Sequence, residues 1–128
     1  MKQIIPTEFE ECQALVEYLD LRGLLYSHVH NEMWTSSWGQ KIKAKQLGVR
    51  KGVPDYIVLT NHYCLFIEMK RKKLSKLSDE QKQWIDALNS CYGVRAMVCY
   101  GCDEAITFIE GNIPPINHNK KYQELMEK

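Results

Sequence analysis

The sequence contains no long apolar run. Charges interrupt the N-terminal stretch MKQIIPTEFEE, and no segment approaches the roughly 18 consecutive apolar residues that a membrane-spanning helix requires. Internal repeats and low-complexity tracts are also missing. At 128 residues the chain has the size of one domain and is too short for two ordinary ones. We therefore predict a single domain over residues 1–128 with no membrane segment.

The cysteine pattern offers neither a disulfide framework nor a zinc site. The five cysteines are odd in number and scattered along predicted core faces, which favours a reduced, cytoplasmic setting. Cys99 and Cys102 form a C-x-x-C pair, but zinc needs a second, suitably spaced ligand pair, which the sequence lacks. A thioredoxin-like use would place Cys99 at a helix N-terminus, whereas it lies at the end of a predicted strand. The pattern argues against metal or redox chemistry at this pair.

The chain also lacks an excess of charge, since 17 Lys and Arg face 16 Asp and Glu for a formal charge of +1. The distribution is uneven, however. Residues 41–76, which we call the basic centre, contain ten basic side chains and two acidic ones, a local balance of +8. The two acids are Asp55 and Glu68. The near-neutral total therefore hides a strongly basic segment that encloses two isolated carboxylates.

Hydrophobic periodicity and capping residues predict an α/β domain. The Thr7 and Gly23 caps bound the first helix, and β-rich runs give the strands. The predicted elements of the first half are a helix over 8–22, a strand over 24–30, and a long basic loop over 31–52 with room for a short helical piece. Hairpin strands follow over 53–60 and 63–69, and Ser78 then opens a helix that ends before Gly93. The remaining elements are a strand over 94–100, a helix over 103–110, and a tail over 111–128 that is helical over 118–128. This order indicates a mixed sheet flanked by helices. The last two strands form a right-handed parallel crossover, and the apolar strand over 94–100 is expected to be buried on both faces.

The residues with the clearest chemical implication are Asp55, Glu68 and Lys70. Glu68 and Lys70 are two apart on a strand and face the same side of the sheet, and a hairpin can bring Asp55 beside them. Neighbouring carboxylates repel unless a divalent cation binds or a pKa rises. Mg²⁺ or Mn²⁺ would accept both carboxylates, the backbone carbonyl of Met69 and several waters. With Lys70 orienting a water or stabilising phosphate, the site suits phosphodiester hydrolysis.

A simpler interpretation of the same residues stays open at this point. Asp55 would cap the turn after Pro54, and Glu68 with Lys70 would form an ordinary ion pair on the surface of the sheet.

Four motifs together resemble the VRR-NUC family of the PD-(D/E)xK nuclease superfamily. They are Gly52-Val-Pro-Asp55, Leu65-Phe-Ile-Glu68-Met-Lys70, Leu77-Ser78-Asp-Glu-Gln81 and Gly101-Cys-Asp-Glu104-Ala-Ile. The resemblance covers about residues 8–110 and implies a restriction-endonuclease-like core. It also implies that Asp55 and Glu68 bind the metal and that Lys70 is the catalytic lysine.

The resemblance further implies one acidic residue from the first helix. Glu8 shares the inward apolar stripe with Cys12, Leu15 and Leu19, so helical geometry favours Glu8, with Glu11 as the second candidate. Alternatively, these acids only stabilise the N-terminal dipole of the helix.

Gln81 has two interpretations as well. Ser78-x-x-Gln81 is a capping box, in which Gln81 bonds back to the Ser78 backbone. The resemblance places this glutamine in the active site.

Basic residues flank the predicted site on both sides and indicate DNA binding with little sequence preference. The candidates are Lys41, Lys43, Lys45, Arg50, Lys51, Arg71, Lys72 and Lys73. Trp34 and Trp38 could stack on unpaired bases or wedge into a junction, or they could anchor the loop to the core. No recognition-helix pattern is evident, which favours selection of DNA by structure.

The sequence therefore predicts a metal-dependent DNA endonuclease selective for branched, junction or flap DNA. The resemblance to small stand-alone members implies a homodimer from a bacterial or phage-infected cell. The alternative is a catalytically inactive module on the same core that binds DNA or protein.

Overall fold

The computed structural model describes residues 4–29, 37–71 and 76–114. Its elements are α1 (Glu8–Arg22), β1 (Leu25–His28), α2 (Trp38–Gln46), β2 (Tyr56–Leu59), β3 (Cys64–Lys70), α3 (Asp79–Asn89), β4 (Val94–Tyr100) and α4 (Cys102–Gly111). The predicted α/β class and the order of the elements are confirmed. Predictions for Trp34, Lys72, Lys73 and the helical tail over 118–128 lie outside the described residues. None of the described helices combines the length and the apolar character needed to cross a membrane.

The four strands form one mixed sheet in the order β1-β2-β3-β4. β1 pairs antiparallel with β2, and β2 pairs antiparallel with β3, which confirms the predicted hairpin. β3 and β4 are parallel and are joined through α3, as the crossover required. The carboxyl ends of β3 and β4 therefore lie side by side, at Lys70 and Tyr100.

One face of the sheet holds the core. Leu15 and Leu19 from α1 pack with Val58, Ile67 and Ile109, all fully buried. Since side chains alternate along a strand, Glu68 and Lys70 belong to the opposite face, where α3 lies. The main core thus occupies one face, and the α3 face carries Glu68 and Lys70 beside apolar side chains such as Phe66 and Ala96.

The prediction that β4 is buried on both faces is wrong. β4 lies at the edge of the described sheet; Ala96 and Cys99 are buried, whereas Arg95 and Met97 are exposed. The Arg95 guanidinium lies 4.2 Å from the centroid of the Tyr63 ring and donates a hydrogen bond to Asn112 at the end of α4. An apolar run alone did not distinguish an edge strand from a central one.

Candidate active site

The carboxyl end of β3 brings the predicted acidic residues together. Because Tyr56 pairs with Ile67, continuing the antiparallel register places Asp55 opposite Glu68. The Asp55 carboxylate accepts a hydrogen bond from the Met69 backbone N–H at 2.8 Å. This bond extends the β2–β3 ladder by a side chain and fixes Asp55 beside the end of β3.

Glu68 is buried, with a side-chain exposure of 5%. Its Oε1 atom accepts a hydrogen bond from Gln81 Nε2 and lies 3.8 Å from the Lys70 ammonium. Its Oε2 atom is also buried and has no hydrogen-bond partner. Burial, followed by the negative charge of Asp55, raises the pKa of Glu68 to about 8. The interpretation of Glu68 and Lys70 as a surface ion pair is therefore wrong, because both side chains are largely buried.

Two further carboxyl groups near Glu68, those of Asp55 and Glu8, also have raised pKa values. Burial raises the pKa of Asp55, against the opposing effect of the Met69 hydrogen bond. The pKa of Glu8 is also raised, first by partial burial and then by the charge of Asp55, while the Lys70 charge lowers it. Asp55, Glu68 and Glu8 thus form a cluster of acids in which the negative charge of Asp55 raises the pKa values of the other two, with the Lys70 ammonium beside them.

The structure separates the two glutamates that the sequence left as candidates. Glu8 begins α1 on the side of Asp55 and Lys70. Glu11 is buried and accepts a hydrogen bond from the Cys102 backbone N–H at the start of α4. Glu10 completes a capping box with Thr7. Of the first-turn acids, Glu8 is the one that interacts electrostatically with the carboxylates at β3, and the helix-dipole interpretation describes Glu10 better.

The donor set suits a small divalent cation. Within the three described ranges, no three His, Cys, Asp or Glu side chains converge closely enough to form a complete metal cage. Mg²⁺ does not need such a cage, since it usually binds through one or two carboxylates and keeps several waters. The unpartnered Oε2 of Glu68 lies among carboxyl groups whose pKa values are raised, and a bound cation would relieve the repulsion between their negative charges. The Met69 carbonyl faces the same side as its N–H, toward Asp55, because a strand residue directs both groups to one neighbour.

Gln81 makes the predicted capping box and also contacts Glu68. Its Oε1 atom accepts a hydrogen bond from the Ser78 backbone N–H at 2.9 Å, and its Nε2 donates to Glu68. The capping box therefore holds the amide in place, and the amide in turn orients the Glu68 carboxylate.

Gly52 allows the first turn of α3 to approach the site. It has φ +87°, and a Cβ atom there would lie 2.6 Å from the Glu80 carbonyl carbon. The adjacent Lys51 carbonyl accepts a hydrogen bond from Trp84 Nε1 at 3.0 Å, which docks α3 on the same loop. The glycine of the Gly-Val-Pro-Asp motif is thus explained by close packing against α3.

The last motif supports the backbone of Lys70. Gly101, at φ 100°, donates its N–H to the Lys70 carbonyl at 3.1 Å. Glu104 accepts a hydrogen bond from the Tyr100 N–H at 3.1 Å. Sequence reasoning missed these supporting roles and that of Glu11. The only signal for Glu11 was an acid on the apolar face of α1, which needs a buried partner.

The basic centre forms a groove of about 860 Å³ beside α2. Lys41, Lys45, Arg50 and Lys51 line this groove, which we call the basic groove, together with Trp38. Trp38 is 78% exposed, so the interpretation that it anchors the loop to the core is wrong. Lys51 lies four residues before Asp55 in the sequence.

Two predicted DNA contacts are placed differently. Lys43 is exposed on α2 but is absent from the residues that line the basic groove. Arg71 donates to the backbone carbonyls of Pro6 and Ile5, each at 3.3 Å. This contact ties the end of β3 to the residues before α1, which positions Glu8 near the site.

Comparison with known proteins identifies the family and the fold. The family model of the VRR-NUC domain matches residues 6–103. A solved structure described as a VRR_NUC domain protein is 25% identical, with 84% of this chain and 88% of that chain covered and a TM-score of 0.65. A comparison with curated proteins finds no match.

Proposed function

The chain belongs to the VRR-NUC domain family, a family of nuclease domains, and on that premise we propose that it is a Mg²⁺- or Mn²⁺-dependent DNA endonuclease. One observation carries the proposal. The buried, unpartnered Oε2 of Glu68 lies opposite Asp55 and on the same strand face as Lys70. Such a set suits hydrolysis of a phosphodiester bond.

Each residue then has a distinct role in the proposed reaction. Asp55, Glu68 and the Met69 carbonyl would hold the ion, with Glu8 adding negative charge from α1. When bound, the ion lowers the pKa of a water and offsets charge on the phosphate. Lys70 would donate a hydrogen bond from its ammonium group to orient the attacking water or to stabilise a phosphate oxygen, and Glu68 keeps that ammonium at the site.

Gln81 acts on this set indirectly. Its hydrogen bond to Oε1 of Glu68 fixes the carboxylate while Oε2 keeps its lone pairs for a cation. We therefore regard Gln81 as a positioning residue.

The basic groove supports DNA as the substrate. Its lysines and arginines can neutralise phosphates, a contact that fixes the DNA without reading its sequence. Selection of branched, junction or flap DNA by shape is part of the proposal. The same applies to a homodimer, which would place two sites on two strands. A monomer mass in light scattering at micromolar concentration would refute the dimer.

Cleavage assays test the proposal directly. We expect purified protein with Mn²⁺ or Mg²⁺ to cut labelled branched or flapped DNA faster than linear duplex. Asp55→Ala and Lys70→Ala should lose cleavage, whereas Asp86→Ala, which removes an exposed acid from α3, should retain it. DNA binding without cleavage in any divalent metal would instead identify an inactive binding module.

A further inference from the structure

A second groove, distinct from the basic groove, reaches two of the clustered carboxylates, Glu8 and Asp55. It has a volume of about 760 Å³ and lies between α1 and the β1–β2 side of the sheet. Phe9 and Val16 of α1 line one wall, with His28 and Tyr56 on the strands, and it reaches Glu8 and Asp55. We call it the α1 groove. Its size falls in the range of pockets that hold small organic ligands.

The walls of the α1 groove disfavour an anion and offer an exposed aromatic ring for stacking. Phe9 is 69% exposed, and the His28 and Tyr56 rings meet edge to face at 5.0 Å between centroids. None of the described residues that line it is a lysine or an arginine, whereas Glu8 and Glu17 lie along its acidic side. A phosphate would be repelled there, but an aromatic base could stack on Phe9.

The two grooves therefore suit different parts of a nucleotide. The basic groove carries Lys41, Lys45, Arg50 and Lys51 and suits the phosphate backbone, while the α1 groove suits a base. Asp55 lines the α1 groove and follows Lys51, which lines the basic groove, by four residues in the sequence. A second protein chain in the α1 groove would cover Glu8 and Asp55 and exclude the DNA.

We propose that the α1 groove receives the nucleobase next to the scissile phosphate, stacked on Phe9. This inference rests on the proposed nuclease function and specifies its substrate. The base must leave the helical stack to enter the groove, so the cut nucleotide is unpaired or easily unpaired. Selection of DNA by structure would then arise at this groove.

Abasic substitution of a cleaved substrate tests the inference. A single abasic nucleotide is moved along the positions that flank the cut, and one position should slow wild-type cleavage by about tenfold. Phe9→Ala should slow cleavage of the intact substrate by about the same factor, with no further loss at that abasic position. Leu21→Ala, which removes an exposed leucine near the far end of α1, should behave like the wild type.

A binding measurement gives a readout that does not depend on turnover. With 2-aminopurine at the same positions, Lys70→Ala protein should quench its fluorescence at one site, and the added Phe9→Ala change should remove that quenching.

Equal losses of cleavage rate from the abasic nucleotide in wild type and Phe9→Ala would overturn the inference. So would conversion of a dimer to a monomer by Phe9→Ala with the abasic effect unchanged, since the groove would then be an interface. Absence of all cleavage with Phe9-dependent quenching retained would refute the proposed nuclease function and leave the groove assignment standing.

Discussion

At the residue scale, Glu68 couples activity to stability. Burial and the Asp55 charge hold its folded-state pKa at about 8, well above the ordinary glutamate value of 4.5. The folded protein therefore binds more protons than the unfolded chain between these values. This carboxyl group favours the folded state at low pH, and that stability is lost as the pH rises through about 8.

We predict that Glu68→Gln raises the free energy of unfolding by about 2 kcal/mol at pH 8 without divalent metal, while abolishing cleavage. The gain should be much smaller at pH 4.5, where both proteins carry an uncharged group. Urea denaturation at the two pH values measures this difference.

Glu110→Gln provides a control of opposite sign. Hydrogen bonds from Arg22 and Tyr18 lower the pKa of Glu110 to about 2, so this carboxylate stabilises the fold above pH 4.5 and loses that effect as the pH falls toward 2. Its replacement should lower stability at pH 8. A loss of stability at pH 8 in Glu68→Gln as well would contradict our account of the buried carboxylate.

Substitutions of Glu8 and Glu11 should have different effects, the first on cleavage and the second on stability. Glu8 is exposed and faces Asp55, so Glu8→Gln should reduce cleavage at least tenfold with an unchanged melting temperature. Glu11→Ala removes the buried carboxylate that accepts a hydrogen bond from the Cys102 N–H and should cost about 1–3 kcal/mol of stability. Cleavage by Glu11→Ala should persist at temperatures where it is folded. The reverse pattern, measured by calorimetry and single-turnover kinetics, would assign the site to Glu11.

At the scale of elements, the first turn of α3 depends on Gly52. Gly52→Ala would force a Cβ atom against the Glu80 and Gln81 backbone, in addition to strain at positive φ. We predict a stability loss of about 2–4 kcal/mol and weaker cleavage, because the shifted turn moves Gln81 away from Glu68.

Gly48→Ala is the matched control. Gly48 has φ +85°, but a Cβ atom added there would meet no other atom within 4 Å, so its replacement should cost only the backbone strain, about 1 kcal/mol. Chemical denaturation of both variants measures the difference. Equal losses would show that packing against α3 does not matter.

Local signals predicted the elements well where caps and periodicity agreed. The Thr7 and Gly23 caps gave α1 its bounds, and the β-rich runs gave the hairpin that aligns Asp55 with Glu68. What failed depended on neighbours distant in sequence. The exposure of Met97 follows from the edge position of β4, and the role of Glu11 follows from the location of α4.

The sequence likewise predicted the part of the site that depends on local spacing, but not the part that depends on tertiary packing. The spacing of Asp55, Glu68 and Lys70 was sufficient to predict their approach, because a strand and a hairpin have fixed geometry. The sequence did not reveal the α1 groove, since Phe9 and His28 meet only after α1 packs on the sheet.

At the scale of the whole molecule, the net charge of +1 conceals a division between a basic groove and acidic surroundings. Binding of DNA should therefore be local and strongly dependent on salt. We predict that a Lys41→Ala and Lys45→Ala double variant lowers the slope of log K against log salt by about 2. Fluorescence anisotropy with labelled DNA at several salt concentrations gives the slope.

Arg22→Ala serves as the control for that experiment. Arg22 lies at the other end of α1 and pairs with Glu110 at 2.8 Å, away from the basic groove. The slope of log K against log salt for Arg22→Ala should match that of the wild type. An equal decrease in all variants would mean that total charge, and not the basic groove, binds the DNA.

Asp55 and Glu68, at the end of β3, are expected to bind a divalent cation. Titration of Mn²⁺ into the purified protein by calorimetry at pH 8 measures this binding, with Glu68→Gln beside the wild type and Glu110→Gln as control. We predict saturable binding to the wild type and to Glu110→Gln, and at least tenfold weaker binding to Glu68→Gln. Equal Mn²⁺ affinity in all three proteins would contradict the account.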